Sequence, residues 1–377
     1  MSDDLLNEFI PPPAADKSGP KDSFDYPVAF NFAFIGVGQA GGRIAQAFNT
    51  KGYARVCAVN TTIQDLSELK LADKAKLDIG AARGAGKDPS VAAAIFEERR
   101  QDIYDLLRAN WGESVEYGFV CFSAGGGTGA GGFETTIAVV KQYLAANPEA
   151  RVGIVIALPF DADDQQHARN ALSALQRLNA LNIQGPIILI DNQRIRELYE
   201  PSVTAEKLLC NSSTVNMLHT FNRLAGAESF DEAGTTYDRA EFARCLNSGI
   251  ISFGADRVDN YAEPTAVTKV IRDRLKNNTL AAVDLTKGTV ACVLYILAGA
   301  AKDTIKASTL AAGVDMLTRI LPTNAVVFQG VYPQASDANV LQVMAMIGGL
   351  PWPAARINKL ADRAGASRDS IAKALGL

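Results

Sequence analysis

Two glycine-rich stretches carry most of the chemistry this sequence offers. Gly36-Val37-Gly38-Gln39-Ala40-Gly41-Gly42 lies between an apolar run, Asn31–Ile35, and a helical pattern in Ile44, Ala45, Ala47 and Phe48. Ser123–Gly132, reading SAGGGTGAGG, likewise follows an apolar run and precedes a helical one. Glycines let the backbone approach an anion, and a helix start presents free N–H groups at the positive end of its dipole. The first loop alone is ambiguous, because Gly36, Gly38 and Gly41 fit the GxGxxG spacing of dinucleotide sites. Such a site needs a carboxylate at the end of the second strand to hold a ribose. Here that strand ends Ala58-Val59-Asn60-Thr61-Thr62, with no carboxylate, which argues against NAD. The second loop holds six glycines, far more than a tight turn uses. It lacks the lysine of a Walker A loop, so its phosphate ligands would be a nest of backbone N–H groups and the Thr128 hydroxyl.

These loops resemble those of the tubulin/FtsZ family, and the resemblance runs in order from about residue 31 to 350. Gly125, Gly126, Gly127, Thr128 and Gly129, continuing to Gly131, match the family's GGGTG signature. Gly38, Gln39, Ala40 and Gly41 match its first nucleotide loop, and Asn60 falls in the AVNT that follows the second strand. Gly84-Ala85-Gly86-Lys87-Asp88-Pro89 resembles the third loop, whose N–H groups reach the terminal phosphate. Pro159-Phe160 matches the PF before the ribose loop, and in detail the sequence looks nearest to the archaeal CetZ branch. The resemblance implies GTP and GDP as ligands, with Mg2+ on the phosphates and no metal ligand named by the sequence. It places Asn192 and Asn216 on the guanine, whose edge needs groups that both donate and accept. Asp163 becomes the ribose carboxylate, with Asp161 competing. Arg169 becomes a phosphate partner, although direct register from Pro159 puts His167 there. Two positions depart from the family: Arg43 stands where FtsZ has Asn, and Ser212 where an aromatic residue often stacks on the base.

Far along the chain, Asp238 and Glu241 stand three apart at a helix start and therefore on one face. Alone they read as an N-cap and its first-turn glutamate. By resemblance they are the acids that reach the nucleotide of the next subunit and activate the attacking water. That chemistry needs a positioned water and charge stabilisation more than covalent steps. It implies a homopolymer stacked head to tail, an open heterologous assembly. The expected activity is a filament-forming GTPase acting in division, cell shape or the positioning of DNA or other cargo. The alternative is a GTP-binding regulator or scaffold of the same fold that does not polymerise.

The elements that must position these residues alternate. Apolar strands at Gly118–Ser123, Val152–Leu158 and Pro186–Ile190 interleave with helices at Val91–Asn110, Glu134–Ala146 and Gln165–Leu181, the pattern of a parallel sheet covered on both faces. A longer helix, Thr204–Ala225, follows, then a helix at Asp238–Leu246 and strands at Thr289–Leu297, Ala325–Val331 and Val340–Ile347, with the helix Leu310–Leu321 between the first two of them. The expected fold is α/β and tubulin/FtsZ-like: a Rossmann-like parallel-sheet GTPase domain joined by a long core helix to a smaller α+β domain. The boundaries are a flexible acidic, proline-rich arm at 1–28, a GTP-binding domain at 29–203, the core helix at 204–228, an activation domain at 229–350 and a helical tail at 351–377. In the tail, Gly365 can stop one helix and Ser367 can cap another, giving a helical pair suited to a protein partner or, less readily, DNA or a membrane surface. The net charge of −4 over 377 residues advertises no nucleic-acid binding. Five scattered cysteines without a CxxC pair fit a reducing cytosol, two distant histidines make no zinc site, and no apolar stretch reads as a signal or transmembrane segment, so a cytoplasmic protein is expected.

Overall fold

The computed structural model describes residues 19–80, 84–200, 202, 206–227, 236–258, 260–275, 280–334 and 339–377, without the side chains of 206–210, 274, 275, 302 and 334. The first half alternates strand and helix. The strands are β1 (Phe32–Val37), β2 (Val56–Asn60), β3 (Lys76–Asp78), β4 (Tyr117–Ser123), β5 (Arg151–Leu158) and β6 (Ile187–Asp191). They pair in parallel in the order β3-β2-β1-β4-β5-β6. β1 reads FAFIGV and is buried at every position, as a parallel strand covered on both faces must be. The covering helices are α1 (Gly38–Lys51), α2 (Ile63–Ser67), α3 (Pro89–Glu98), α4 (Arg100–Asn110), α5 (Gly127–Leu144), α6 (Gln165–Ala180) and α7 (Asn192–Tyr199). The single helix expected over Val91–Asn110 is two, because Arg99 leaves helical geometry at ψ 21°.

The core helix α8 (Glu206–Leu224) leads to α9 (Arg239–Leu246) and then to β7 (Ile250–Val258), a strand absent from the sequence reading. β7 continues the first sheet: Ile250 and Ile251 pair in parallel with Ile187 and Ile188. Beyond it lie the single turns α10 (Ala266–Lys269) and α11 (Ala301–Thr304), the helix α12 (Ala307–Ile320), and the strands β8 (Val290–Ala298), β9 (Val326–Gln334) and β10 (Val340–Leu350). β10 is antiparallel to both β7 and β8, and β9 is parallel to β8. The region expected as a smaller α+β domain therefore extends one ten-stranded, mostly parallel sheet.

One segment expected to be flexible and one expected to meet a partner are both docked on this chain. Asp22 accepts a hydrogen bond from the Ala54 N–H at 2.8 Å and faces Arg55 at 3.6 Å. Phe24 meets Tyr53 edge-on at 5.3 Å, and the Tyr26 hydroxyl lies 2.8 Å from His219 Nε2. Residues 19–28 of the expected flexible arm are thus packed, because their aromatic rings and one carboxylate find buried partners; 1–18 fall outside the described residues. The tail forms α13 (Ala354–Ala364) and α14 (Arg368–Leu375), with Gly365 left-handed at φ 68° and Ser367 capping α14 as its type suggests. The tail's apolar face, expected to meet a partner, lies against this chain's own α6: Ile357, Leu360, Ala361 and Ala364 are buried there, and Trp352 Nε1 donates to Asn179 Oδ1 at 3.0 Å.

Candidate nucleotide site

A cleft of about 430 Å³ opens where β1, β4 and β5 end. Val37, Ser123 and Ala157 form its floor, and the starts of α1 and α5 form its walls. The two glycine loops meet there backbone to backbone. A Cβ on Gly38, whose φ is +72°, would stand 3.0 Å from the Gly129 nitrogen and 3.2 Å from Thr128 Cβ. Two helix N-termini so close aim their free N–H groups at one volume, which suits an anion. Thr128 Oγ1 lies 2.9 Å from Thr61 Oγ1, which fixes its hydroxyl at the loop's rim.

Gly38, Gln39, Ala40, Gly126, Gly127, Thr128, Gly129, Asp163 and Asn192 all line this cleft. Gly41 sits one layer deeper, packed on the Cys121 carbonyl of β4. Gly125 contributes its carbonyl to Asn170 Nδ2 at 3.1 Å. Asn60 is buried and acts through a neighbour: its Nδ2 donates to Asp65 Oδ2 at 3.0 Å, while Gln39 Nε2 donates to Asp65 Oδ1 at 2.8 Å. Gly84 and Gly86 are left-handed at φ 63° and 54° and turn the third loop beside the cleft, with Ala85 buried between them. From that loop the cleft receives Lys87. Asn216 lies in an adjoining cavity of about 500 Å³ between α1 and α8, with Ser212 and Gln46. Arg43 and Asn211 line both spaces, so the two adjoin at these side chains. A planar base can therefore lie between α1 and α8 while its phosphates reach the glycine loops.

Arg169 is not in the cleft. Its Nε donates to the Ala364 carbonyl at 3.1 Å, toward the tail. The residue from α6 that lines the cleft is His167, two positions earlier and so roughly 200° around the helix. Asp161 is likewise turned away, its carboxylate paired with Arg356, whereas Asp163 lines the cleft and accepts from the Phe160 N–H at 2.8 Å. Asp164 caps α6 and bridges Lys87 Nζ at 2.8 Å and His167 Nδ1 at 2.7 Å. The Lys87 ammonium, then His167, hold this carboxyl far below the usual carboxylate range. The sequence reading missed Asp65, Lys87 and Asn211 as cleft residues. Lys87 sat inside the third-loop motif, whereas neither Asp65, a first-turn carboxylate of α2, nor Asn211, one polar residue of the long α8, carries a local signal.

The acidic pair lies elsewhere. Asp238 borders a recess of about 550 Å³ with Phe30, Glu116, Tyr117 and Arg151, residues at the beginnings of β1, β4 and β5. Asp238 and Glu241 form a full capping box: Asp238 Oδ1 accepts the Glu241 N–H at 2.8 Å, and Glu241 Oε2 accepts the Asp238 N–H at 3.2 Å. Burial, reinforced by the Asp238 charge, pushes the Glu241 carboxyl up, although the Asp238 N–H opposes it. Arg239, between them, is anchored by Glu116, the Ala29 carbonyl and the Phe30 ring.

A family profile described as the tubulin/FtsZ family GTPase domain matches residues 31–200. The CetZ tubulin-like protein of Thermococcus kodakarensis is 24% identical over 327 residues, covering 84% of this chain and 81% of its own length. Cell division protein FtsZ 1 of Pyrococcus furiosus is 30% identical over 168 residues, which cover 44% of this chain and 42% of its own. Among solved structures, a GTPγS-form protofilament of TubZ from Bacillus thuringiensis serovar israelensis aligns at a TM-score of 0.74 and 18% identity, covering 90% of this chain and 92% of that one. The GTPγS-bound CetZ2 protofilament from Haloferax volcanii aligns at 0.71 and 24%, covering 91% and 99%. Residues 31–200 thus resemble a tubulin/FtsZ family GTPase domain, and over about nine-tenths of its length the chain shares the fold of the TubZ and CetZ structures. Among the described residues no helix is long and apolar enough to cross a membrane.

Proposed function

We propose that this chain binds GTP in the cleft above β1, β4 and β5, polymerises head to tail, and hydrolyses GTP with Asp238 and Glu241 of the adjacent subunit. One observation carries the reading. The cleft lies at the C-terminal ends of parallel strands, and the recess at Asp238 lies at the N-terminal ends of the same strands. The strand β4 alone separates them by roughly 20 Å at about 3.3 Å per residue. No carboxylate at that distance reaches a phosphate within one subunit, and translation of a second copy along the strand direction brings the two ends together. Ile63 follows β2 at the cleft end and is 62% exposed, and Val91, in the first turn of α3, is 43% exposed, which suits a surface covered on assembly.

The glycine loops would hold the α- and β-phosphates through backbone N–H groups, with Lys87 and the third loop at the terminal phosphate. Mg2+ keeps most of its waters and takes one or two carboxylates beside substrate phosphates. Asp65, oriented by Asn60 and Gln39, is a suitable single carboxylate at the cleft wall. Asn192, Asn211 and Asn216 offer the donor and acceptor edges a guanine requires. Asp238 would orient the attacking water of the neighbouring site, and the raised Glu241 carboxyl would take part in moving its proton.

The test is GTP turnover per molecule against protein concentration with magnesium. Turnover that switches on above a critical concentration supports a site completed between subunits. Flat or absent turnover, at concentrations where GTP is bound, overturns it in favour of a nucleotide-binding scaffold.

A further inference from the structure

The tail buries one guanidinium beneath the nucleotide cleft. Arg356, on the first turn of α13, is 4% exposed. It pairs with the Asp161 carboxylate, donates to the Pro159 carbonyl, and holds its Nε 3.2 Å from Asp191 Oδ1. Pro159 and Asp161 belong to the 159–164 loop, whose Pro159, Phe160 and Asp163 line the cleft. Asp191 ends β6, caps α7 and directly precedes Asn192, another lining residue. One side chain therefore ties together the two segments that wall the ribose and base side. About two turns further along, Arg363 donates to the Asp163 carbonyl, so α13 grips the same loop twice.

This arrangement exceeds what tail docking requires. The apolar face of α13 and the Trp352–Asn179 hydrogen bond fasten the tail to α6 without touching the loop. An arginine is needed only where a planar fork must satisfy several oxygens at fixed spacing. A buried guanidinium is costly unless paired; the Arg356 Nε meets Asp191 as an ion pair without hydrogen-bond geometry, and Asp191, itself 2% exposed, would lose that charge partner without it.

We propose that Arg356 is a positioning residue for the nucleotide, its guanidinium setting the 159–164 loop and the β6–α7 junction at the spacing the ribose and base need. The inference rests on the nucleotide reading of the cleft. It makes the C-terminal helical pair part of the binding machinery, so a partner that lifts α13 would loosen the nucleotide.

Full-length protein, kept dilute, is titrated with GDP, and thermal unfolding is followed in parallel. Arg356→Gln is expected to weaken GDP binding about tenfold or more, with Arg356→Lys intermediate because an ammonium cannot make the fork. Under assembly conditions the KM for GTP should rise while kcat at saturation stays within about twofold. Trp352→Phe removes the tail's hydrogen bond to Asn179 and should lower the melting temperature without moving the GDP affinity. A folded Arg356→Gln with wild-type affinity overturns the proposal, as does an equal loss in Trp352→Phe. If Arg356→Gln does not fold, Asp161→Asn decides: weakened GDP binding supports the proposal and unchanged binding overturns it. A wild-type protein that binds no GDP defeats the nucleotide reading itself, a result separate from any variant's.

Discussion

Glycines in the two cleft loops meet different needs, and substitution separates them. A Cβ on Gly41 would lie 2.1 Å from the Cys121 carbonyl oxygen, a backbone atom of β4 that cannot yield without moving the strand. Gly41→Ala should cost about 2–3 kcal/mol of stability by forcing α1 off the sheet, read from denaturant unfolding. Gly126 has φ −78° and ψ 167°, open to any residue, and a Cβ there meets no protein atom within 4 Å. Gly126→Ala should leave stability within about 0.5 kcal/mol of wild type but weaken GDP binding, because its methyl occupies the cleft. Unchanged GDP affinity in Gly126→Ala would remove that loop from the phosphate contacts. A second residue sets a pH limit. His219 is buried, with the Tyr26 and Tyr53 hydroxyls at 2.8 and 3.1 Å from its two ring nitrogens. Burial, then the Lys51 and Arg223 charges, push its pKa from 6.5 to about 4. The folded state thus binds the proton less readily than the unfolded chain. The resulting stability is full above the unfolded value and is lost as pH falls toward the folded one, up to roughly 3 kcal/mol. Melting temperature should fall from about pH 7 to about pH 5, and His219→Gln should flatten that slope; an equal slope in the variant would assign it to carboxylates instead.

Elements differ in how far their sequences announce them. The strands β1, β4 and β5 were readable because burial on both faces demands near-continuous apolar residues, and the glycine loops because phosphate chemistry is local to the loop that performs it. β7 was not: its second half, Phe-Gly-Ala-Asp-Arg-Val, breaks the apolar run with Gly254, Asp256 and Arg257, and only its pairing with β10 makes it a strand. The place of Arg169 was misjudged for a related reason. A two-residue ambiguity in the loop before α6 turns a side chain to the opposite face, and that register depends on Asp164 capping the helix. The amphipathic face of α13 was legible, but its target was not, since apolar patterning says that a face is covered and not by what. β7 also supplies an element-scale prediction. Phe253 is fully buried on it, and its ring lies 5.7 Å from that of Phe221 on α8, where the core helix crosses the continuous sheet. Phe253→Ala should cost about 3–5 kcal/mol. Because the sheet is continuous there, both halves should still unfold in one transition; a split into two transitions would mean that β6 and β7 do not couple them.

At the scale of the whole molecule, polarity is the functional property. Parallel strands put every β-to-α loop start at one end, so the glycine-loop cleft gathers there, and the start of α9 leaves Asp238 at the other. In the proposed mechanism neither end works alone, and translation of a second copy along the strands brings the two ends together. This yields a prediction that separates a shared site from one completed within a subunit. Asp238→Asn keeps the cleft and loses the acid; Gly126→Ala keeps the acid and hinders the cleft. Each alone should hydrolyse GTP slowly. In a mixture, GTP bound to an Asp238→Asn subunit can face the intact Asp238 of a Gly126→Ala neighbour, so that junction carries both working halves. With random alternation about a quarter of junctions are of this kind, and turnover should recover toward that fraction of wild type. Co-sedimentation of the two tagged variants shows whether mixed filaments form. Recovered turnover in mixed filaments is the expected result; mixed filaments that form yet stay as slow as the separate variants would mean that Asp238 serves its own subunit's nucleotide or none.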